Sequence, residues 1–242
     1  MLHIPRLLLL PLLAIALLAG CLNDSSTAPA VSTSTKSVPS FPSDPGEFVS
    51  TIDNPYLNFR IGRVFHYRAE TEAGIETNVV TVTRQAKTIL GVPVTVVHDE
   101  VFLDGVLTED TFDWFAQDQD GNVWYFGEAT VHVPTGDTAG SWEAGVGGAM
   151  PGIIMLAEPE VGMKYQQEDA PTVAEDLARV SGLDETVAVQ LGTYTGCLKT
   201  TDSNGLEPGS KEFKFYAPDV GLLLIVEDGG KGARVELTGI EH

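Results

Sequence analysis

The sequence predicts a mainly β, single-domain protein built on one strongly curved antiparallel sheet, a half-barrel or open barrel, with one short helix; a β-sandwich is the alternative. Three observations predict it. After Asn54, apolar and polar residues alternate with the period of a strand rather than that of a helix. Asp-Gly pairs punctuate the alternation at Asp104-Gly105, Asp120-Gly121 and Asp228-Gly229-Gly230, the chemistry of tight hairpin turns, so strands adjacent in sequence pair antiparallel. About two hundred residues follow the polar N-terminal stretch, enough for one β domain with a sizeable core.

The alternation places strands near 63–70, 77–84, 92–103, 106–117, 122–133, 161–168, 185–190, 194–201, 211–217, 221–227 and 233–240. One segment breaks the pattern. In "APTVAEDLARVSG", Pro171 suits a first helical turn, Val173, Leu177 and Val180 share a helical face, and Gly182 is a stop signal. This predicts a short amphipathic helix packed on the sheet or closing one end of it. Before it runs "TGDTAGSWEAGVGGAMPGIIMLAEP", a Gly-rich loop carrying Trp142 and the apolar run Ile153–Leu156, and long loops of this kind are commonly functional or mobile.

The chain opens "MLHIPRLLLLPLLAIALLAGC": one cation at Arg6, an apolar run from Leu7 to Leu18, then small residues ending at a cysteine. That is a secretory signal over residues 1–20, too short and wrongly flanked to span a membrane as a helix. Leu18, Ala19, Gly20 and Cys21 resemble the lipobox of bacterial lipoproteins. The resemblance implies cleavage before Cys21, acylation of Cys21 and stable membrane anchoring through several acyl chains. Leu22, standing where such lipoproteins carry Asp for inner-membrane retention, implies the outer membrane in a two-membrane host. Residues 21–45 then read as the lipidated cysteine and a Ser/Thr/Pro tether, with too few large apolar residues to offset the entropy of ordering them. The all-β domain occupies 46–242.

Charge excludes one class of partner. With 34 acidic against 14 basic residues and a net charge of −20, the body as a whole repels phosphate backbones and anionic lipid, so nucleic acid is not expected. Once Cys21 is acylated, Cys197 has no partner for an intramolecular disulfide and is expected as a small buried side chain in the strand "GTYTGCLKTT".

Three groups of residues carry a family resemblance: "DNPYLNFRIGRVFHY"; "DWFAQDQDGNVWYFGE" with "GSWEAGVGGAMPGIIM"; and "VAVQLGTYTGCLKT" with "KFYAPDVGLLL". Together they resemble a family of secreted bacterial proteins and lipoproteins across nearly all of the domain. The resemblance implies a single extracytoplasmic domain and brings no catalytic residue with it. The curved-sheet shape is also similar, at the level of fold alone, to periplasmic lipoprotein carriers.

Candidate sites converge on the hairpin "FDWFAQDQDGNVWYFGEATVH". A two-residue turn at Asp120-Gly121 would pair Glu109 with His132, Asp113 with Glu128, Phe115 with Phe126 and Gln117 with Trp124, all on one face. Opposed carboxylates ask for a cation, a shared proton or open water, so Glu109, Asp113, Glu128 and His132 are candidate ligands for a divalent cation. The turn itself is no calcium loop: Asp118, Asp120 and Asn122 match the opening of an EF-hand, but the glycine comes too early and Ala129 stands where its closing glutamate belongs. Trp124, Phe126, Trp142, Ile153 and Met155 are candidates for contact with a lipid or small apolar ligand. Hydrolase, zincin and phosphate-loop signatures are missing from the sequence, so the primary expectation is a non-enzymatic, membrane-anchored binder of an apolar ligand. A metal-binding module or metal-dependent hydrolase, and a structural envelope protein, are the alternatives.

Overall fold

Inward-facing positions recur at every second residue along nearly all of the chain, and a sheet that curls on itself is how such a pattern is buried. The protein is described here from a computed structural model, which describes residues 37–227 and 233–242. The signal, Cys21, Leu22, the rest of the tether up to residue 36 and the turn Asp228-Gly229-Gly230 lie outside the described residues.

The strands are β1 (Phe48–Val49), β2 (Val64–Thr71), β3 (Gly74–Ile89), β4 (Val92–Leu103), β5 (Val106–Asp118), β6 (Val123–His132), β7 (Trp142–Glu143) and β8 (Met150–Met155). They continue as β9 (Lys164–Gln166), β10 (Glu168–Asp169), β11 (Asp176–Val189), β12 (Gly192–Asn204), β13 (Lys211–Ala217), β14 (Gly221–Glu227) and β15 (Arg234–Glu241). They form one antiparallel path, β10-β8-β6-β5-β4-β3-β2-β15-β14-β13-β12-β11-β9, with β1 added on β5 and β7 on β6. The two ends of that path, β9 and β10, are separated in sequence by Gln167 alone. The sheet therefore curls into a nearly closed barrel whose edges meet at a covalent corner, the usual way to remove an exposed strand edge.

One glycine makes that seam close. A Cβ on Gly152 of β8 would lie 2.1 Å from the Gln167 carbonyl oxygen, so a larger residue there would push the edges apart.

The N-terminal segment seals one end of the barrel. Ile52, Leu57 and Phe59 are buried, and Phe59 packs 5.2 Å from Phe115 and 6.2 Å from Phe65, centroid to centroid. Gln117 Oε1 accepts from the backbone N–H of Asp53 and of Asn54, both at 2.9 Å, and Asn54 Nδ2 donates to the Gly121 carbonyl at 3.0 Å and the Leu156 carbonyl at 3.1 Å. The barrel thus has a plugged, apolar end and a second end at the turns Glu72–Gly74 and Asp104–Gly105.

Three expectations are corrected. The helix over 171–182 does not form: Thr172 adopts a φ of 67°, Ala170 bridges Ala174, and β11 begins at Asp176. Strand hydrogen bonding is offered from both flanks, by β9 and β12, and Asp176, Ala178 and Val180 turn inward while Leu177 stays 40% exposed. Burial at alternate residues overrides the helical spacing of Val173, Leu177 and Val180. The Gly-rich stretch is likewise part of the wall, contributing β7 and β8 against β6. Finally, residues 37–45, assigned to the tether, include Phe41, whose ring packs 5.2 Å from Trp124 and 5.8 Å from Phe126 on the outside of the barrel. One aromatic in a Ser/Pro-rich segment is enough to dock its last residues. Cys197 is buried and free, as its strand position implies.

Candidate functional site: the acid-lined half of the barrel

Neighbouring strands place inward side chains in rows. Asn78, Val101, Glu109 and His132 are successive partners across β3, β4, β5 and β6; the next row holds Val80, Asp99, Thr111 and Thr130, and the one after it Val82, Val97, Asp113 and Glu128. On the far wall Asp176, Ala178 and Val180 of β11 face Asn204, Asp202 and Thr200 of β12, and Asp202 and Thr200 face Glu212 and Lys214 of β13. Towards the plug the interior is aromatic and aliphatic; away from it the interior is mostly carboxylate.

A chain of hydroxyls holds the first wall. Thr130 Oγ1 donates to Glu128 Oε2 at 3.0 Å, and Thr111 Oγ1 lies 3.0 Å from Thr130 Oγ1 and 3.3 Å from Glu109 Oε1, its single proton serving one of these two acceptors. The Tyr125 hydroxyl donates to Asp113 Oδ1 at 2.7 Å, and His132 Nδ1 lies 3.5 Å from Glu109 Oε2. The opposed pair Asp113 and Glu128 therefore meets its cost with donors from Tyr125 and Thr130. On the second wall Lys214, 3% exposed, places Nζ 3.0 Å from Asp202 Oδ2 and 2.7 Å from Glu212 Oε1.

Glu76 has no such provision. It is 0% exposed, and neither of its carboxylate oxygens has a hydrogen-bond partner. Burial, followed by the charges of Glu109 and Glu227, pushes its carboxyl up to about 8. Asp99 is held well above the usual carboxylate range by burial and then by Asp113 and Glu109, against a hydrogen bond from Asn78. Glu168 rises by burial and the neighbouring Asp176, while burial pushes Asp176 up to about 6, with Lys214 opposing. Lys214 itself stays charged because Glu212 and Asp202 outweigh its own burial.

The expected hairpin pairs are met unevenly. Glu109 faces His132, Thr111 faces Thr130 and Asp113 faces Glu128, but Phe115 faces Tyr125, not Phe126, and Gln117 faces Val123, not Trp124. The turn holds three residues, with the Asp118 N–H donating to the Asn122 carbonyl at 2.9 Å and Gly121 at φ 94°, which shifts the near half by one. A bulge at Gly127, with φ 121°, restores the register. An added Cβ at Gly127 would lie 2.2 Å from the Trp142 carbonyl oxygen, so the bulge depends on glycine.

That shift sorts the candidate apolar contacts onto two faces. Trp124 and Phe126 lie outside under Phe41 and Phe48, with Trp124 Nε1 donating to Asp118 Oδ2 at 2.8 Å. Ile153 pairs with Trp124 and follows it outward, whereas Met155 pairs with Val123 on the inner side. Trp142 lies edge-on to Tyr125 at 5.3 Å. All five are buried and packed on other residues of the chain. The four candidate metal ligands do line one wall, yet among the described residues no three His, Cys, Asp or Glu side chains are placed to hold one ion.

Sequence reasoning missed Glu76, Asp99, Glu168, Asp176, Asp202, Glu212 and Lys214. A signal existed: in "GIETNVVTV" Glu76 and Asn78 share the parity of Val80 and Val82, and in "KEFKFYA" Glu212 and Lys214 share that of Tyr216. Charged residues at core parity on several strands mark a polar interior.

No family model and no curated protein matches the sequence. Among solved structures, a Bacteroides fragilis protein described as exported and of YmcC-like fold is similar over 77% of this chain and 99% of its own, at 13% identity and a TM-score of 0.45. A Parabacteroides distasonis protein described as a lipoprotein is similar over 78% of this chain and 99% of its own, at 11% identity and a TM-score of 0.45.

Proposed function

We propose that this chain is a lipid-anchored, extracytoplasmic binding protein whose acid-lined barrel half receives a cationic ligand. The leader and the lipobox-like Leu18–Cys21 support the anchoring, with the outer membrane as its site in a two-membrane host. The observation that carries the ligand reading is Glu76, fully buried with both oxygens unpartnered and with carboxylates as its charged neighbours. Burying such a group is costly unless a proton or a positive charge accompanies it. The geometry favours a cationic ligand over an apolar one, because Phe65, Phe115, Tyr125, Leu198 and Leu237 fill the apolar half with their own side chains. A cation with N–H groups spread over several ångströms suits these carboxylates better than a bare metal ion, which needs its oxygens gathered around one point.

The test is calorimetric titration of the full chain, in mild detergent, with spermidine and separately with calcium. Spermidine is expected to bind with release of protons and with affinity rising from pH 6 to pH 8, and Glu76→Gln to weaken it about tenfold. Equal binding by the wild type and Glu76→Gln, or no binding of either cation, would overturn the proposal. Binding of calcium alone would restore the divalent-cation reading of the same wall.

A further inference from the structure

The outside of the plug carries two neighbouring arginines. Arg60 and Arg63, with Asn58, Asp219 and His242, line an open depression of about 460 Å³ at the sealed end of the barrel. Arg63 is 8% exposed; its Nη1 donates to the Asn58 carbonyl at 3.1 Å and its guanidinium lies 4.9 Å from the centre of the Phe65 ring. These contacts fix the plane of the guanidinium and use one of its corners. Its buried Nε has no hydrogen-bond partner, and among the described residues neither arginine has a carboxylate in ion-pair contact. In a chain of net charge −20, two neighbouring arginines without an ion-paired carboxylate among the described residues are an unusual provision.

We propose that this depression is an oxyanion site, in which Arg63 presents its free N–H edge and Arg60 adds a second positive charge to a carboxylate or phosphate group. A planar guanidinium held by its far corner offers paired N–H groups in the spacing of two oxygens on one centre. The site favours an ion of single charge. Asp219, whose backbone is fixed by its N–H donating to the Pro55 carbonyl at 2.8 Å, lines the same depression and opposes a second negative charge. Burial, and then the Arg60 charge, bear on the Arg63 guanidinium, and a bound anion would relieve the repulsion between them. The oxyanion can come from a soluble metabolite or from the headgroup of an anionic lipid, since the chain is tethered beside a membrane if its leader is processed as its lipobox implies. This site is independent of the acid-lined one, being built from different residues at the other end of the barrel.

The test follows the Arg63 Nε–H resonance of the full chain in mild detergent as inorganic phosphate is added, against sodium chloride of equal ionic strength. A saturable shift with phosphate alone is expected, and Arg60→Gln, an exposed position with no packing role, should weaken it about tenfold. Arg63→Lys keeps the charge and loses the paired edge, so it should abolish the phosphate response if the fold survives. No shift at phosphate concentrations where chloride is also silent, or a shift unchanged in Arg60→Gln, overturns the proposal. Flotation with phosphatidylglycerol vesicles, compared with phosphatidylcholine vesicles, assigns the source: Arg60-dependent flotation confirms a lipid headgroup, and a phosphate response without flotation confirms a soluble oxyanion.

Discussion

At the plugged end of the barrel, Phe59, Phe65, Phe115 and Tyr125 meet ring to ring; at the other end Glu76, Asp99, Glu168 and Asp202 are as deeply buried and are carboxylates. The same strands build both halves: β3 carries Glu76 and Asn78 at one end and Val80 and Val82 towards the other. Since the backbone ladder is common to both, what differs is the free energy of the side chains. The aromatic half gains from removing apolar area from water, whereas the acidic half must hold protons, hydroxyl donors or one lysine to keep its charges tolerable. One half supplies the stability of the barrel and the other draws on it.

A truncation in the apolar half should therefore cost the most. Phe115 is 0% exposed and stacks 4.8 Å from Tyr125 and 5.2 Å from Phe59, so Phe115→Ala leaves a cavity beneath the plug. Its cost should be about 4 kcal/mol, independent of pH, in urea unfolding of the full chain. A loss below about 1 kcal/mol would mean that the plug carries little of the stability.

In the acidic half the most sensitive residue is Lys214, its ammonium shared by Asp202 and Glu212. Lys214→Met strands two carboxylates and should cost about 3 kcal/mol near pH 8. The cost should shrink towards pH 5, where the stranded groups take up protons instead. A penalty equal at both pH values would show that Lys214 acts through packing and would remove the contrast between the halves.

How far the two halves were legible in the sequence follows from how each is encoded. Hairpins such as Val106–Asp118 with Val123–His132 announce themselves through alternation around Asp-Gly, because turn and strand are local properties. The pairs Asp113 with Glu128 and Glu109 with His132 were legible too, although only because a three-residue turn and the Gly127 bulge shift the register by one in opposite senses. The segment from Pro171 to Gly182 was not legible, since its spacing suits a helix and only the flanking β9 and β12 decide otherwise. Nor was the far wall, because Glu168, Asp176 and Lys214 come together only when the barrel closes at Gln167. A closed sheet gathers residues that no local window contains.

The smallest of these effects is the one that separates the halves most directly. A carboxyl whose folded pKa lies above its unfolded value binds more protons in the folded state, so its contribution to stability is complete below the unfolded pKa and is lost as pH rises through the folded one. For Glu76 those limits are 4.5 and about 8, and Asp99, Glu168 and Asp176 are displaced in the same direction. The wild type should lose stability steadily from pH 5 to pH 8, a range in which a protein with paired surface carboxylates holds steady. Glu76→Gln removes one of the responsible protons and keeps the shape of the side chain, so it should flatten that slope and leave the variant about 1 to 2 kcal/mol more stable than the wild type at pH 8. At pH 5, where Glu76 is already neutral, the two proteins should unfold at nearly the same urea concentration. If saturating spermidine stabilises the wild type at pH 8 by more than it stabilises Glu76→Gln, the added positive charge and the missing proton are interchangeable at this carboxylate, which is what a cation site built from buried acids requires.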